Sequence, residues 1–508
     1  MKTSLYQKIF NIGLSSVALT AAASFTFAQQ TQPSGGAAQT SAKGTVIKGK
    51  APVNKEILRV KLPRAQEATL SNGLQVVLLE NHKVPTFSMQ MVILSGGLSD
   101  PQTARGTAAF TASLLREGTS KRTSREIAEQ SESLGANIGA NASLAGFTSN
   151  VTAAGLAENF DQTLEIFADV VRNPTFPAAE VEKYKARTLA QLQFQRSIPQ
   201  LLAAERFNRA IYGDHPAALV LPPIETLRGL TPDALQKFHQ TYYRPNNAIL
   251  AVTGDVTMKD LMTKLERAFG DWQKANVPAT NIPTAAALTK PGVFLIDRPG
   301  SVQTVLTLGN LGIERTNPDY FAVLVMNQIF GGGPQARLFT NLREDKGYTY
   351  GAYSNFSGSK YAGTVTANSE VRTDVTEGAL KEFMYEIKRI RDEKVSPVEL
   401  ENAKRAIVGG FALSLEQPQA LLSNIVLQKL YGFPAAYWDD YPQQVSKITA
   451  EDVQRAANKY LDSPHLQIVA VGDAAKVRDI LAKYGSVEQF NTEGKIVNPA
   501  NPAMTDKP

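Results

Sequence analysis

Hydrophobic and polar residues switch repeatedly between alternating and helical spacing along the chain. ATLSNGLQVVLLENHKVPTFSMQMVILSGG (68–97) predicts two strands separated by a turn, with Asn72-Gly73 supplying an earlier turn. Helical periodicity follows, after which Thr123 and Glu126 form a capping box and Gly135 ends the helix that starts there. NASLAGFTSNVTAAG (141–155) is strand-like again. The mixture of strands and helices predicts an α+β fold.

The chain contains an internal repeat. TPDALQKFHQTYYRPNNAILAVTGD (231–255) aligns without gaps with TAEDVQRAANKYLDSPHLQIVAVGD (449–473), and each copy predicts a helix, a turn and a buried strand ending in Gly-Asp. The similarity extends upstream, where Pro199-Gln200 is echoed by Pro418-Gln419. The two copies start at residues 231 and 449, and a period of about 220 residues is too long for a solenoid and indicates two copies of one α+β domain.

The amino terminus has the pattern of a secretory signal peptide. Lys2 and Lys8 precede an apolar run from Ile9 to Ala23, and Thr26-Phe27-Ala28 offers a small-residue cleavage site. The alternative is a membrane anchor, but the apolar run is short for a span of about 20 residues. We therefore expect cleavage after Ala28 and export to the bacterial periplasm.

These patterns divide the chain into six predicted segments. They are a signal peptide (1–28), a flexible basic leader (29–66), an N-terminal domain (67–275), a Pro/Ala/Thr-rich linker (276–292), a C-terminal domain (293–490) and a tail (491–508).

Composition excludes several classes of function. The chain has 508 residues and is 43% hydrophobic and 20% charged, as expected of a globular protein, and it has no cysteine for a disulfide or a thiolate metal site. Its formal net charge of +6 comes from the signal peptide and the leader, so the remainder is slightly negative. The remainder of the chain therefore lacks the excess of positive charge that nucleic-acid binding usually requires.

Histidine chemistry is sparse. The four histidines are His82, His215, His239 and His465, and no two have the i, i+3 or i+4 spacing of a helical ligand pair. We expect each to be a surface or packing residue. The triple glycine Gly331-Gly332-Gly333 lacks the lysine of a phosphate-binding loop and indicates a turn before a helix.

Several motifs in the first half resemble the insulinase/pitrilysin (M16) metallopeptidase family. They are GTAAFTASLLREGT (106–119) and ESLGANIGANAS (132–143). The zinc helix of that family carries H-x-x-E-H, but the matching positions here are Ala109, Ala112 and Ser113. The third zinc ligand, a glutamate on a later helix, falls at or next to Gln191. The resemblance thus implies a zinc site without ligands or a base, and no metal held by this chain.

The second half keeps more of the family pattern. GGGPQARLFTNLREDKGYTYGAYS (331–354) resembles the motif of a glycine-rich loop, a helix, and an arginine and tyrosine seven residues apart, here Arg343 and Tyr350. Both side chains are donors that could stabilise a developing oxyanion. The alternatives are that Arg343 is a solvated helix-end residue and that Tyr350 is half-buried strand packing.

The resemblance also implies substrate contacts and an architecture. In the family an extended peptide pairs with an edge strand near Asn141-Ala142, although a structural turn-to-strand role for this pair is equally open. The glycine-rich loop, Gly331 to Gly333, is a second expected substrate contact. The expected fold is two homologous M16-like domains, each a mostly antiparallel sheet packed with helices, joined into a clam-like half-chamber.

These expectations converge on a subunit of a larger peptidase. The family includes bacterial assemblies in which one chain supplies zinc, its ligands and the glutamate base, while the other supplies the Arg/Tyr pair. We expect this chain to be the second kind, binding peptides in the periplasm beside a homologous partner with an intact H-x-x-E-H. The alternative is a non-enzymatic peptide-binding or assembly protein with the same fold.

Overall fold

The computed structural model describes residues 59–497, whose helices and strands form two similar halves. The predicted signal peptide, most of the leader and most of the tail lie outside the described residues. Within 59–497 no helix combines the length and the apolar character needed to cross a membrane.

The strands form two six-stranded mixed sheets. The first sheet contains β1 (Gln66–Thr69), β2 (Gln75–Glu80), β3 (Thr86–Ile93), β4 (Asn137–Ala142), β5 (Ser149–Leu156) and β6 (Ala248–Gly254), in the order β1-β2-β6-β3-β5-β4. The second contains β7 (Gly292–Asp297), β8 (Gln303–Leu311), β9 (Thr349–Phe356), β10 (Thr364–Arg372), β11 (Gln467–Gly472) and β12 (Val487–Phe490), in the order β12-β7-β11-β8-β10-β9.

Helices pack on both sheets. In the first half they are α1 (Thr107–Leu114), α2 (Ser124–Ser133), α3 (Phe160–Arg172), α4 (Ala178–Gln195), α5 (Pro199–Tyr212), α6 (Ile224–Arg228), α7 (Pro232–Tyr242) and α8 (Met258–Phe269). In the second half they are α9 (Tyr320–Phe330), α10 (Arg337–Phe339), a π-helix (Thr340–Asp345), α11 (Thr376–Asp392), α12 (Pro397–Ser414), α13 (Pro418–Tyr431), α14 (Tyr437–Ser446), α15 (Ala450–Tyr460) and α16 (Ala474–Leu481).

The two sheets repeat one topology, as the internal sequence repeat predicts. In the first, β6 lies between parallel β2 and antiparallel β3, and in the second β11 lies between parallel β7 and antiparallel β8. Every residue of β6 and of β11 is buried, which explains their continuous apolar sequences. The halves differ at one edge, where β1 is antiparallel to β2 but β12 is parallel to β7.

Local sequence signals account for several of these elements. Gly73 has φ of +95° in the predicted turn, and the capping box of Thr123 and Glu126 starts α2. Gly135, with φ of +60°, follows the end of that helix. The single strand-like segment predicted at 141–155 is different in the structure, because β4 ends at Ala142 and β5 begins at Ser149.

The halves exchange a helix. Leu202, Phe207 and Ile211 of α5 pack with Val469 and other residues of the second sheet. Reciprocally, Leu422, Ile425 and Val426 of α13 pack with residues of the first sheet. Burial of an aliphatic side chain contributes about 1.5–3 kcal/mol, so these exchanged helices hold the halves together.

The segment between the halves and the end of the leader are irregular but partly packed. No helix or strand lies between Phe269 and Gly292. In the leader, Leu62 is buried and its N–H donates to the Asp439 carboxylate at 2.9 Å. Arg64 donates to the Ala435 carbonyl at 2.7 Å. The last residues of the predicted flexible leader are therefore packed against the second half.

Candidate functional site

Helix α1 carries the positions that match the family's zinc ligands, but none is an imidazole or a carboxylate. Ala112 is 1% exposed and Ala109 is half-buried. Ser113 is exposed, and its hydroxyl donates to the Ala109 carbonyl at 2.8 Å. The helix is therefore a packing element whose only polar side chain at these positions is bonded to its own backbone.

Helix α4 carries the fourth position, Gln191, which is exposed. The two helices pack together, with the rings of Phe110 and Tyr184 edge to face at 6.1 Å between centroids. Within residues 59–497 no group of three histidine, cysteine, aspartate or glutamate side chains is placed to hold a metal ion. The side chains at the degenerate positions do not fit zinc.

Asp100, which the sequence patterns did not single out, fixes the start of α1. Its carboxylate accepts hydrogen bonds from the Gly106 N–H at 2.6 Å and the Ala108 N–H at 2.8 Å. Burial raises the pKa of Asp100 to about 7, although the two N–H donors favour the ionised form. The capping side chain lies six residues before Gly106, outside the spacing of ordinary N-cap signals.

Arg343 lies on the π-helix and is accessible. Its side chain is 45% exposed, and its Nε lies 3.4 Å from a carboxylate oxygen of Glu344. The guanidinium carbon lies 4.8 Å from the ring centroid of Phe339, close enough for a cation–π contact. The sequence predicts one ordinary helix after the glycine-rich loop, but from Thr340 to Asp345 the structure has a π-helix, a form that frequently occurs at functional sites.

A buried polar cluster holds the π-helix. Asn341 donates through its Nδ2 to Glu386 at 2.8 Å and to Glu382 at 3.0 Å, and the Glu386 side chain is 2% exposed. One turn earlier, Arg337 makes two hydrogen bonds to the Glu399 carboxylate, at 2.8 and 3.2 Å. These contacts anchor the segment that presents Arg343.

Tyr350 lies in a β-bulge on the edge strand β9. Thr349 pairs with Val371 and Ala352 with Ser369, so two residues of β9, Tyr350 and its neighbour, lie opposite one residue of β10. The Tyr350 side chain is 89% exposed. The alternative of half-buried strand packing is therefore wrong for Tyr350.

Hydroxyl groups hold this bulge in place. The Thr349 hydroxyl donates to the Glu370 carbonyl at 2.6 Å and accepts from the Gly351 N–H at 3.1 Å. The Ser369 hydroxyl donates to the Gly351 carbonyl at 3.0 Å. The bulge could not be predicted from the sequence of β9, because it depends on the register with β10.

Asn141 and Ala142 end the edge strand β4. This strand pairs only with β5 within residues 59–497, so the backbone of its other side has no strand partner there. Asn141 is exposed and Ala142 is half-buried. An unpaired edge of this kind can accept an extended peptide.

The glycine-rich loop begins where α9 ends. The Gly331 carbonyl accepts a 2.8 Å hydrogen bond from the Ser354 N–H of β9. A Cβ atom at Gly331 would lie 2.3 Å from the Ser354 nitrogen, and one at Gly332 would lie 2.7 Å from the Gln328 Cα. Gly333 has more room. The first two glycines therefore permit close backbone approach beside the strand that carries Tyr350.

Two family models match the chain. Residues 75–222 match the model described as "Insulinase (Peptidase family M16)", and residues 229–407 match "Peptidase M16 inactive domain". An uncharacterised zinc protease of Bacillus subtilis, YmxG, is 26% identical over 361 residues, which cover 70% of this chain and 86% of that protein. An uncharacterised zinc protease of Rickettsia felis is 27% identical over 403 residues, covering 78% and 94% respectively.

Solved structures show the same fold. The crystal structure of a peptidase M16 inactive domain from Pseudomonas fluorescens is 30% identical with a TM-score of 0.75, covering 80% of this chain and 98% of that one. A protease from Helicobacter pylori has a TM-score of 0.75 at 19% identity, covering 81% of this chain and 100% of its own.

Proposed function

The chain belongs to the insulinase family of M16 peptidases, and we propose that it is the non-zinc subunit of an exported, heteromeric peptidase of that family. The observation that carries this proposal is a contrast between the two halves. Helix α1 keeps its packing with no metal-binding side chain at Ala109, Ala112 or Ser113, whereas Arg343 and Tyr350 are both accessible. A partner with an intact H-x-x-E-H would supply zinc, its ligands and the glutamate base.

In this proposal Arg343 and Tyr350 act on the peptide bond held at the partner's site. The guanidinium and the phenol are both hydrogen-bond donors, and the carboxylate nearest to Arg343, that of Glu344 at 3.4 Å, is exposed and readily exchanged for a substrate. Donors placed in advance at a carbonyl oxygen stabilise the negative charge that develops during attack by water. Anchoring of the π-helix and of the bulge before the substrate binds reduces the cost of this arrangement.

The same proposal assigns peptide binding to backbone surfaces of both halves. The free edge of β4 at Asn141 and Ala142 can extend its sheet by one peptide strand. In the loop Gly331 to Gly333 the first glycine is buried against Ser354, while Gly332 is exposed and Gly333 half-buried, so the last two offer backbone to a peptide. Location in the periplasm follows from the predicted signal peptide and forms part of the proposal.

Co-expression with an M16 chain that carries an intact H-x-x-E-H tests this function. We expect the two chains to co-purify, about one zinc per heterodimer bound to the partner, and cleavage of unfolded peptides only by the pair. Metal analysis and peptide cleavage should be measured for each chain alone and for the mixture. If the two chains form a stable pair but the partner alone cleaves peptides as well as the pair does, a binding or assembly role is favoured instead.

A further inference from the structure

A groove lies between α5 and the face of the second sheet on which α5 packs. It has a volume of about 510 Å³ and is lined by strands β8, β9 and β10 and by helix α5. In β10 the residues on the other face are buried, while Thr364, Thr366, Asn368 and Glu370 are half-buried on this face. Because α5 comes from the first half of the chain, both halves build the groove.

Apolar surface from Ala204, Phe207 and Val305 makes up part of the lining, and the hydrogen-bonding side chains beside it carry no positive charge. Those that matter for recognition are Gln200, Asn208, Tyr353, Asn355, Asn368 and Glu370. Among residues 59–497 no lysine or arginine lines the groove. Its only carboxylate, that of Glu370, already accepts a 2.8 Å hydrogen bond from the Gln200 Nε2.

Some of these groups are bonded to one another and some are free. Thr307 donates to the Asn368 Oδ1 at 2.9 Å, and the Asn368 Nδ2 donates to Thr366 at 3.2 Å. Among the described residues, the side-chain amides of Asn208 and Asn355 have no hydrogen-bond partner. An amide offers both a donor and an acceptor, so the groove presents both to a ligand.

The groove adjoins the proposed catalytic tyrosine. Glu370, at its end, lies directly opposite the bulge that contains Tyr350. Tyr353 leans back over Gly351, where a Cβ atom would lie 2.6 Å from the Tyr353 ring. Tyr353 also packs against Phe339, at 5.5 Å between ring centroids, and Phe339 contacts Arg343. A peptide held at Tyr350 therefore has a neighbouring side chain within reach of the groove.

We propose that this groove is a specificity subsite for one neutral amide or hydroxyl side chain of the bound peptide, an inference that rests on the proposed peptide-binding function. Such a side chain can pair with both the free donors and the free acceptors of the groove. An apolar side chain leaves them unpaired, and an acidic one meets Glu370 with no cation to balance it.

The first sheet offers a matched control site. A groove of about 480 Å³ lies in the first half near the corresponding place, displaced toward the ends of β5 and β6, and Gln419 of α13 lines it as Gln200 of α5 lines the second groove. By strand register, Ala154 occupies the position of Glu370. The control groove has no carboxylate and so lacks the Gln200–Glu370 pair, although it carries the amides of Asn81, Asn137 and Gln419.

Binding of short capped peptides to the isolated mature chain tests the inference without the partner. The peptides have alanine and glycine flanks and differ only in a central Gln, Leu, Glu or Lys, and affinity is read by fluorescence anisotropy. We expect the Gln peptide to bind at least about tenfold more tightly than its near-isosteric Leu counterpart. Gln200→Leu and Asn355→Leu should bring this ratio close to one, while Gln419→Leu should leave it unchanged.

Several results would overturn the inference. They are equal binding of the Gln and Leu peptides, tighter binding of the Lys peptide, binding of none of the four, or an equal loss of preference in Gln419→Leu. Failure to find a zinc-bearing partner would count against the proposed peptidase subunit but would leave the Gln/Leu ratio intact. Conversely, an active complex whose subunit shows no such ratio would refute the subsite alone.

Discussion

The Thr349 hydroxyl donates a 2.6 Å hydrogen bond to the main-chain carbonyl of Glu370, across the bulge that contains Tyr350. This bond crosses from the edge strand to its neighbour where regular pairing is interrupted. The same hydroxyl accepts a hydrogen bond from the Gly351 N–H. One side chain thus bonds a main-chain group of each strand where the bulge interrupts the hydrogen bonds between them. The exposure of Tyr350 is thus a consequence of fixed backbone geometry rather than of a loose strand.

Replacing Thr349 tests the anchoring of the bulge. Thr349→Val keeps the shape but removes the hydroxyl, and we expect the free energy of unfolding to fall by about 1–3 kcal/mol, because the hydroxyl's partners lose their hydrogen bonds. The urea midpoint measures the change. Thr349→Ser, which retains the hydroxyl, should stay close to the wild type. Equal midpoints for the Val variant and the wild type would show that the hydroxyl does not hold the bulge.

Restoring ligands on α1 and α4 tests whether only side chains are missing from the zinc site. Ala109→His and Ser113→His lie four residues apart on one helical face, and Gln191→Glu adds a carboxylate. We expect the triple variant to retain about one zinc per chain after dialysis, and the wild type and the single Ser113→His variant to retain none. A triple variant free of zinc would mean that the helices no longer have the required geometry.

His239 should make stability depend on pH in the acidic range. Burial lowers the pKa of His239 to about 4, and its Nε2 lies 2.8 Å from the Val171 carbonyl. As the pH falls from about 6.5 to 4 the unfolded chain binds a proton and the folded chain does not, so stability falls by up to about 3 kcal/mol. His239→Gln, which does not titrate, should lack this loss in urea unfolding at several pH values. The same pH profile in both proteins would contradict the assignment.

His82 should change stability with pH in the direction opposite to His239, because its pKa is raised rather than lowered. Hydrogen bonds to Asp255 and Glu80 raise the pKa of this exposed histidine. Its contribution to stability is therefore present at acidic pH and is lost as the pH rises through the raised pKa. His82→Gln should change the pH profile in the direction opposite to His239→Gln.

The elements that the sequence predicts correctly depend on neighbouring residues. The turn at Gly73 and the capping box of Thr123 and Glu126 are set by local backbone preferences. The repeated helix and buried strand follow from a pattern that occurs twice, at α7–β6 and α15–β11. The missed turn between β4 and β5 contains Ser143 and Gly146, which favour turns over strands, so the sequence carries a local signal for it between the two strand-like segments.

The features that the sequence could not predict arise from contacts between distant segments. Helices α5 and α13 each pack on the sheet of the other half. The amphipathic pattern of a helix shows that one of its faces is buried, but it does not show which sheet buries that face. Arg343 and Tyr350 were identified by resemblance. The π-helix and the bulge that present them depend on Asn341 and Thr349, whose partners lie 21 to 45 residues away in the chain.

The most direct test of the central claim is the kcat of a purified complex with a zinc-bearing partner after Arg343→Ala and, separately, Tyr350→Phe. Each change should lower kcat by about 10²–10³, with zinc content and assembly unchanged, because both side chains are exposed in this chain. Arg125→Ala and Tyr385→Phe, two other exposed positions, serve as matched controls and should retain full activity. Full activity after both Arg343→Ala and Tyr350→Phe, or zinc-dependent cleavage by this chain alone, would contradict the account.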